Sequence, residues 1–454
     1  MERKAVIQFV IESEDVGPPI TLDALTNIEK IHEILKQLHS DEKEYNFYVN
    51  NQLIQQSIHQ SIKSYDEQVL KVECVEQASF RVPMLNSQAA SMPGHDEAVL
   101  SLQFAPHGQT VASSSGDCTV RLWDVNTKTI AHVLKGHSGW VMSVQWSPDG
   151  LSIASGGADN FICIWDPLSG KIKRKLKGHR DMVTCLSFEP MHKNKSCVRM
   201  ASASKDHSVR IWDTSRGQCL FSLAGHTKLV SQVKWGHFGI YTSSRDMTVR
   251  MFSHEGKSVK ILKGHAHWVN SLSLSTEHLL KSGPFTHEQT NFENAEDMFN
   301  ACKEKCDSIT TELLITGSDD NTLMLWDPKL QSKPVNRMTG HHQPITGVQF
   351  SPDGRYIASA SFDKAIKIWN NKGEFLYNLR GHVGRVYQLS FSADSRLLIS
   401  ASQDSTCKVW SLVKQKLAMD LPGHLDQIYG VDWSPIGNYA VSGGKDKLVK
   451  IWKS

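Results

Sequence analysis

The sequence predicts a mainly β protein in which an eight-bladed β-propeller follows a small N-terminal α+β domain. Eight Gly-His pairs lie between residue 94 and the C-terminus, and each is followed by an aspartate and, six residues later, by an aromatic side chain. Most successive pairs are about 40 residues apart, the length of a four-stranded propeller blade. The residues before this repeat have the alternating pattern of a separate α+β domain.

The repeat is regular apart from one insertion. Successive histidines of the pattern lie 42, 42, 47, 39, 76, 41 and 42 residues apart. The long interval predicts an insertion at roughly residues 275–311 of the fifth repeat, within a propeller that spans residues 93–454. Residues 293–305 of the insertion predict a charged helix, which is either part of a solvated surface loop or a docking element.

Each repeat also contains a hydroxyl residue four positions before its aspartate. These spacings resemble the WD40 family, in which histidine, serine or threonine, aspartate and tryptophan form a hydrogen-bonded chain inside each blade. Phe252 replaces tryptophan in the fourth repeat, so the chain of hydrogen bonds is expected to end early there. The eight sets are His95, Ser113, Asp117 and Trp123; His137, Ser155, Asp159 and Trp165; His179, Ser202, Asp206 and Trp212; His226, Thr242, Asp246 and Phe252; His265, Thr316, Asp320 and Trp326; His341, Ser359, Asp363 and Trp369; His382, Ser400, Asp404 and Trp410; and His424, Ser442, Asp446 and Trp452.

Histidine, aspartate and serine in one set suggest a hydrolase triad, but the repetition argues against catalysis. A catalytic site needs one such constellation beside a cleft, whereas this chain places eight equivalent sets in blade interiors. The sequence has no Gly-x-Ser-x-Gly elbow, phosphate-binding Gly-rich loop or metalloprotease helix motif. We therefore predict no catalytic residues and no enzymatic activity.

The charge of the chain is unevenly distributed. Residues 1–92 contain 8 Lys or Arg against 14 Asp or Glu, a net charge of −6. Because the whole chain has a net charge of +3, the remaining residues carry +9. An acidic head and a basic body suggest two different partners. No stretch approaches the roughly 18 apolar residues of a membrane span, and the N-terminus does not have the pattern of a signal peptide, so no membrane partner is expected.

The 9 cysteines are scattered and form no Cys-x-x-Cys pair. This usage indicates reduced thiols in the cytosol or nucleus rather than a disulfide framework. Cys302 and Cys306 stand one helical turn apart but lack a second paired set, which favours free thiols over metal ligands. The sequence therefore predicts neither a metal nor a cofactor of its own, and the chain is expected to act as a monomer.

Residues 1–77 predict a β-grasp domain. A helix capped by Thr26 is expected after the first two of five strands, which lie at residues 4–11, 18–22, 45–49, 53–54 and 69–75. The segments 46–54 and 65–72 are similar to the corresponding stretches of ubiquitin. Conjugation is not expected, because the chain continues into the propeller without a terminal Gly-Gly pair.

Residues 78–92 join the two domains, and we predict that they also complete the propeller. The chain ends two residues after Trp452, on the expected third strand of the last blade. That blade needs a fourth, outer strand from elsewhere to close the ring and cover its open edge. The segment 80–82 is the predicted closing strand.

Several segments carry a more specific likeness, and they are Phe80–Val82, Ala360–Lys364, Leu379–Val383, Ala393–Leu398, Lys416–His424 and Gly443–Lys447. Together with a ubiquitin-like domain joined directly to an eight-bladed WD40 propeller, they resemble the Notchless family of large-ribosomal-subunit assembly factors. The resemblance covers nearly the whole chain.

This resemblance implies a non-enzymatic factor of 60S subunit biogenesis, resident in the nucleolus and nucleoplasm. The propeller would hold the pre-60S particle, and the ubiquitin-like domain would bind the AAA ATPase Midasin. In that family a glutamate in the loop before the last strand of the head completes the coordination of a Mg²⁺ held by the partner's adhesion domain. Alignment places this glutamate at Glu67, with Asp66 as the competing residue. A carboxylate is a suitable ligand for this hard cation.

One rim of the propeller is a candidate partner-binding surface. Residues three positions after a repeat histidine, or directly before a repeat aspartate, should lie together on it. Exposed basic and aromatic side chains there would suit ribosomal RNA phosphates or proteins. The alternative for the two tryptophans is that they pack between blades. The candidates are Trp140, Lys205, Arg245, Trp268, Arg385 and Lys445.

A cytoplasmic signalling or ubiquitin-pathway adaptor is the alternative function, with the propeller recruiting a receptor tail. Members of the resembling family have been linked to Notch signalling. Cosedimentation with 60S precursors would favour the assembly factor, whereas binding to ubiquitin-system components or to a receptor tail would favour the adaptor.

Overall fold

The computed structural model describes residues 4–11, 14–23, 26–38, 45–49, 52–54, 69–76, 81–85, 87–285, 292, 294–307, 309–435 and 437–453. The chain divides into two compact units, residues 1–81 and residues 82–454. Within the described ranges, no helix is long and apolar enough to cross a membrane.

The first unit has the topology of a β-grasp. Its elements are β1 (Lys4–Ile11), β2 (Glu14–Asp23), α1 (Ile28–Leu38), β3 (Tyr45–Val49), β4 (Gln52–Leu53) and β5 (Leu70–Glu76). The strands form one sheet in the order β2-β1-β5-β3-β4, in which β1 and β5 are parallel and the other neighbours are antiparallel. The predicted order of strands and helix is confirmed.

The core of this unit lies between α1 and one face of the sheet. Apolar residues recur with period two in the strands and near 3.6 in the helix, so each element turns one apolar face inward. Ile7 and Phe9 of β1 and Ile31 and Leu35 of α1 are at most 2% exposed and belong to one cluster.

The start of α1 differs from the prediction in one detail. Thr26 does not cap the helix, because its hydroxyl donates a hydrogen bond to the carbonyl of Asp23 at 2.6 Å. The helix begins two residues later, and the side-chain oxygen of Asn27 accepts the N–H of Ile28 at 2.8 Å.

The second unit is a propeller, and its described residues form eight four-stranded antiparallel sheets. The first four blades are β7–β10 (Val99–Phe104, Thr110–Ser115, Thr119–Asp124 and Thr129–Lys135), β11–β14 (Val141–Trp146, Ile153–Gly157, Phe161–Trp165 and Ile172–Lys177), β15–β18 (Val183–Phe188, Arg199–Ser204, Val209–Asp213 and Gln218–Leu223) and β19–β22 (Val230–Trp235, Ile240–Ser244, Thr248–Phe252 and Ser258–Lys263). The last four are β23–β26 (Val269–Leu274, Leu314–Ser318, Leu323–Trp326 and Asn336–Met338), β27–β30 (Ile345–Phe350, Tyr356–Ser361, Ala365–Asn370 and Phe375–Arg380), β31–β34 (Val386–Phe391, Leu397–Ser402, Cys407–Ser411 and Lys416–Leu421), and β35–β37 with β6 (Ile428–Trp433, Tyr439–Gly444, Val449–Lys453 and Ser87–Met92).

The blades close into a ring. The first strand of each blade packs against the first strands of its two neighbours, and β35 of the last blade packs against β7 of the first. These strands therefore surround the central channel. The predicted eight-bladed propeller is confirmed. We call the end that carries the repeat histidines and aspartates the upper face, and the opposite end the lower face.

The four-residue sets form inside every blade, as predicted. The Nδ1 atom of each repeat histidine lies 2.7–3.0 Å from its aspartate, and Nε2 lies 2.7–2.9 Å from the serine or threonine hydroxyl. In seven blades the tryptophan indole N–H donates to the same hydroxyl at 2.7–2.9 Å. Phe252 has no such donor, so the fourth chain ends at Thr242.

The direction of these bonds follows from their ends. The carboxylate can only accept, so the histidine donates from Nδ1 to it, and Nε2 of a neutral ring then accepts the hydroxyl proton while the indole donates to the hydroxyl oxygen. Burial opposes ionisation of the aspartates, but hydrogen bonds from the histidine, from neighbouring hydroxyls and from backbone N–H groups outweigh it. These bonds hold the pKa of each repeat aspartate below its usual value, for example at about 2 for Asp363.

Two threonines provide a matched test of this account. Thr316→Val in the fifth blade leaves both the Trp326 indole N–H and Nε2 of His265 without a partner, whereas Thr242→Val in the fourth blade deprives only Nε2 of His226. An orphaned buried group costs about 1–3 kcal/mol, so Thr316→Val should lower the free energy of unfolding by about twice as much as Thr242→Val. Urea denaturation of the two variants measures the difference. Equal costs would contradict the proposed role of the indole.

The closing strand comes from the joining residues 78–92, but not from the predicted segment 80–82. β6 (Ser87–Met92) pairs with the last strand, and Met92 stands opposite Val449. The predicted segment 80–82 was wrong: Phe80 lies outside the described residues, and Arg81 and Val82 form no strand. The reason is the register of the repeat. The buried aliphatic residue of each outer strand stands two positions before a Gly-His pair, and Met92 completes the series that contains Leu134, Leu176, Leu223, Leu262, Met338, Leu379 and Leu421.

Val82 has a different role, because it docks on the seventh blade. Its N–H donates to Asp394 Oδ2 at 2.9 Å, and its carbonyl accepts from Arg396 Nη2 at 3.3 Å. Val82 and Leu85 are 3% and 0% exposed. The segment that leads to β6 is therefore part of the propeller.

The described part of the insertion folds against the lower face and is not a solvated loop. It contains α2 (Glu277–Ser282) and α3 (Ala295–Asp307), the latter close to the predicted helix at 293–305. Glu277 pairs with Lys234 of the fourth blade at 2.5 Å, and Lys281 pairs with Asp432 of the eighth at 3.0 Å. These four residues line a central cavity of about 320 Å³. Helix α2 therefore lies across the lower end of the channel.

Candidate partner-binding face

A ring of backbone hydrogen bonds organises the upper face. In every blade, the residue directly before the repeat aspartate donates its N–H to the carbonyl of the residue three positions after the repeat histidine, at 2.7–3.0 Å. We call these residues the upper ring. Its donor and acceptor pairs are Gly116 and Ala98, Ala158 and Trp140, Lys205 and Met182, Arg245 and Leu229, Asp319 and Trp268, Phe362 and Pro344, Gln403 and Arg385, and Lys445 and Gln427.

All six candidate residues belong to the upper ring. Three of them donate the backbone N–H of a ring pair, and the other three provide the accepting carbonyl. The repeat spacing was sufficient to place them there, because the same turn recurs in each blade. Their side chains nevertheless differ. Trp140 is 61% exposed, so it does not pack between blades. Trp268 is half-buried, and the guanidinium of Arg245 lies 4.4 Å from its ring centroid. Trp268 and Arg245 therefore form a cation–π pair.

A second mixed cluster lies on the sixth to eighth blades. The guanidinium of Arg385 stands 4.5 Å from the ring of Phe362. Phe362 and Tyr387 have ring centroids 6.1 Å apart, and Tyr387 and Tyr429 are 5.6 Å apart. Burial, reinforced by Tyr429, raises the pKa of Tyr387. The first pair of rings is edge-to-face and the second is tilted, so the cluster offers a cation and aromatic rings, groups that bind nucleobases as well as apolar protein side chains.

Sequence reasoning did not single out these three aromatic residues. A signal existed, since Tyr387 and Tyr429 each stand five positions after a repeat histidine and Phe362 directly precedes a repeat aspartate. Tyr387 and Tyr429 lie near the start of the innermost strands of their blades, and only the ring distances show that the residues of neighbouring blades touch.

The remaining two candidates are lysines in exposed ion pairs. Lys205 lies 3.4 Å from Asp181, and Lys445 lies 3.1 Å from Asp426. Each aspartate stands two positions after the repeat histidine of the same blade. Exposed pairs of this kind contribute little to stability. The ammonium groups can therefore exchange these carboxylates for a phosphate or a carboxylate of a partner.

The residues that surround the repeat sets on this face include more basic than acidic side chains. This holds for the positions one to three after each repeat histidine and those adjacent to each repeat aspartate, and it leaves aside the eight repeat aspartates themselves, whose side chains are at most 14% exposed. The basic residues are Arg180, Lys205, Lys228, Arg245, Lys364, Arg385, Lys445 and Lys447. The acidic residues are Asp96, Glu97, Asp181, Asp319 and Asp426. The basic side chains are potential contacts for a polyanion, and the exposed Trp140, Val383 and Leu425 add apolar contact points.

The histidine, serine and aspartate sets do not resemble a working triad. The eight histidines are 5–9% exposed and their hydroxyl partners are fully buried. Every hydroxyl is engaged inside its blade, so none can approach a substrate. This arrangement stabilises blades and does not provide a nucleophile.

The N-terminal unit contains the two candidate ligands for the Mg²⁺ of a partner. Glu67 and Asp66 lie outside the described residues. In β5, Lys71 forms an exposed ion pair with Asp15 at 3.3 Å.

Comparisons with known proteins agree with this architecture. The family described as "NLE (NUC135) domain" matches residues 5–62. The family described as "WD domain, G-beta repeat" matches eight segments, residues 86–124, 128–166, 170–213, 217–253, 301–327, 332–370, 373–411 and 415–453. "Protein Notchless" of Drosophila melanogaster is 44% identical over 356 residues, which cover 75% of this chain and 73% of that protein. The chain belongs to the Notchless family.

Other relatives extend this assignment. The "Notchless protein homolog" of Arabidopsis thaliana is 45% identical over 349 residues, 75% of this chain and 74% of that protein. "Ribosome assembly protein 4" of Saccharomyces cerevisiae is 41% identical over 315 residues, 66% of this Notchless-family chain and 61% of the yeast protein. Among solved structures, the computationally designed protein Ika8 matches with a TM-score of 0.65 and 24% identity, covering 81% of this chain and 100% of its own. That likeness concerns the fold alone.

Proposed function

We propose that this Notchless-family chain is a non-enzymatic assembly factor of the large ribosomal subunit. The observation that carries the proposal is its 41% identity to a yeast relative named "Ribosome assembly protein 4". The fold suits this role, because a rigid ring that displays side chains at repeated positions is a scaffold for partners. Such a factor is expected in the nucleolus and nucleoplasm.

In the proposed mechanism, the upper ring holds the pre-60S particle. Its cations would contact ribosomal RNA phosphates, and its aromatic residues would stack on bases or fill protein pockets. The acidic head would bind a Midasin-type AAA ATPase, with Glu67 supplying one ligand to the partner's Mg²⁺. The chain would thereby transmit the force of the ATPase to the particle.

A double variant tests the upper ring. Arg245→Ala with Arg385→Ala removes two cations and should weaken binding to purified pre-60S particles about tenfold, because each phosphate contact contributes to affinity. Binding is measured at two salt concentrations, and the salt dependence should fall together with the affinity.

The matched control removes the same charge from the lower face. Arg216 and Lys257 are 76% and 81% exposed on turns there, and Arg216→Ala with Lys257→Ala should leave binding unchanged. Equal losses in the two double variants would assign the effect to net charge alone. Full affinity of the upper-ring variant would contradict the proposed binding face.

The competing function, a cytoplasmic signalling or ubiquitin-pathway adaptor, predicts different partners. Affinity capture followed by sedimentation separates the two proposals. Capture of a receptor tail or of ubiquitin-system components, without 60S precursors, would replace the assembly factor by the adaptor.

A further inference from the structure

Three potential metal ligands meet on the lower face, away from the upper ring. His192 belongs to a 3-10 turn, Met191–Lys193, between β15 and β16 of the third blade. Cys302 and Cys306 stand one turn apart on α3, in the insertion of the fifth blade. One donor atom from each of these three residues lies within 4.8 Å of the other two. The fold thus gathers residues that are more than a hundred positions apart in the chain.

We propose that His192, Cys302 and Cys306 bind a Zn²⁺ ion that fastens the insertion to the third blade. Zinc prefers tetrahedral sites of cysteine sulfur and histidine nitrogen, with bonds of about 2.3 Å and about 2.0 Å. Tetrahedral geometry places such donors roughly 3.5–3.8 Å apart. The three donors therefore need to approach by only about 1 Å, which side-chain rotation supplies.

The surroundings suit a structural ion. Cys302 and Cys306 are each 1% exposed, and two thiolates would neutralise the charge of the metal. Cys197 is 4% exposed and packs in the same cluster, although its sulfur lies outside the group of three close donor atoms, so it would have to move to become a fourth ligand. A closed set of one histidine and three cysteines is a common structural zinc site.

His192 provides the second, independent observation. Both of its ring nitrogens are buried, and neither makes a hydrogen bond within the described part of the chain. Buried polar atoms almost always have a partner, and an unsatisfied one costs about 1–3 kcal/mol. The ring is held in place by stacking on His237, with centroids 4.7 Å apart. A metal bond would satisfy one of the two nitrogens.

Other contacts already hold α3 around this site, one to the third blade and one within the insertion. Lys195, next to the 3-10 turn, pairs with Glu296 of α3 at 2.8 Å. Lys305 of α3 donates to the carbonyl of Pro284 at 2.9 Å. Because α2 lies across the channel and α3 follows it in the same insertion, a metal at this point would fix both helices to the lower face.

Metal analysis of the full chain tests the proposal. Protein purified without chelator should retain about one equivalent of Zn²⁺ after gel filtration, measured by mass spectrometry of the metal. Cys302→Ser and His192→Ala should lose most of it, whereas Cys219→Ser, which alters an exposed cysteine in β18, should keep it. Wild-type protein without zinc after purification in zinc-containing buffer would overturn the proposal.

A spectroscopic test avoids dependence on variants that fail to fold. Co²⁺ added to chelator-stripped wild-type protein should produce thiolate-to-cobalt charge-transfer bands and the visible bands of a tetrahedral ion, and Zn²⁺ should abolish both. Binding without charge transfer would indicate adventitious surface histidines only and would also overturn the proposal. Loss of the bands in Cys197→Ser would assign the fourth ligand to that residue.

Discussion

Removing residues 1–92 should destabilise the propeller far more than removing residues 1–81. The shorter deletion leaves the second compact unit intact. The longer one removes Val82, Leu85 and Met92, which are at most 3% exposed and contribute about 2 kcal/mol each by burial. It also leaves β37 as an open edge, which favours aggregation. We expect a chain beginning at residue 93 to unfold at a temperature at least about 10 °C lower than one beginning at residue 82.

Two neighbouring positions of β6 provide a matched control in the full chain. Met92 faces the core of the last blade, whereas Ser91 is exposed on the opposite side of the strand. Met92→Asp buries a charge without a partner and should lower the thermal transition of the propeller, while Ser91→Asp should leave it nearly unchanged. If both deletions and both point variants unfolded at the same temperature, β6 would not be the strand that closes the ring.

On the proposed function, Glu67→Ala should weaken the Mg²⁺-dependent binding of the full chain to the Midasin adhesion domain about 100-fold. The physical reason is the demand of Mg²⁺ for oxygen ligands at about 2.0–2.1 Å in octahedral geometry. In the proposed complex the carboxylate of Glu67 would complete that set, and its removal from a desolvated interface should cost about 3 kcal/mol or more, roughly 100-fold in affinity. Isothermal titration with Mg²⁺ and with EDTA measures the effect.

Conservative variants separate charge from reach. Glu67→Asp keeps the carboxylate but shortens the side chain by one methylene, so we expect it to bind much more weakly than wild type. Glu67→Gln keeps the length and loses the charge, and it should also bind weakly. Asp66→Asn should bind like wild type. Loss of binding in Asp66→Asn with Glu67→Ala unaffected would move the role to Asp66, and binding indifferent to EDTA would remove the metal from the proposal.

The repeat allowed much of the propeller to be predicted. The four residues of each set lie within one blade, so their spacing reveals both the number of blades and the internal hydrogen bonds. The same register located all six candidate residues on the upper ring. It could not show that Trp140 is exposed while Trp268 forms a cation–π pair with Arg245. This difference depends on which side chains the neighbouring blade presents.

The position of the closing strand could also have been predicted from the sequence. The apolar residue two positions before each Gly-His pair marks an outer strand, and Met92 fits that rule. The missing fourth strand of the last blade indicated a closing strand in the joining residues, but the predicted segment 80–82 does not follow this rule. The rule becomes visible only when the outer strands of all blades are compared.

By itself, the sequence determined the eight-bladed ring, the buried sets, the β-grasp order and the resemblance to the Notchless family. Tertiary structure alone decided that β6 closes the ring, that α2 lies across the channel and that His192 meets Cys302 and Cys306. The physical reason is the separation in sequence between the residues that interact. Hydrogen bonds within one blade join residues close in the chain and leave a periodic pattern, whereas these contacts join distant segments whose choice of partner depends on packing in three dimensions.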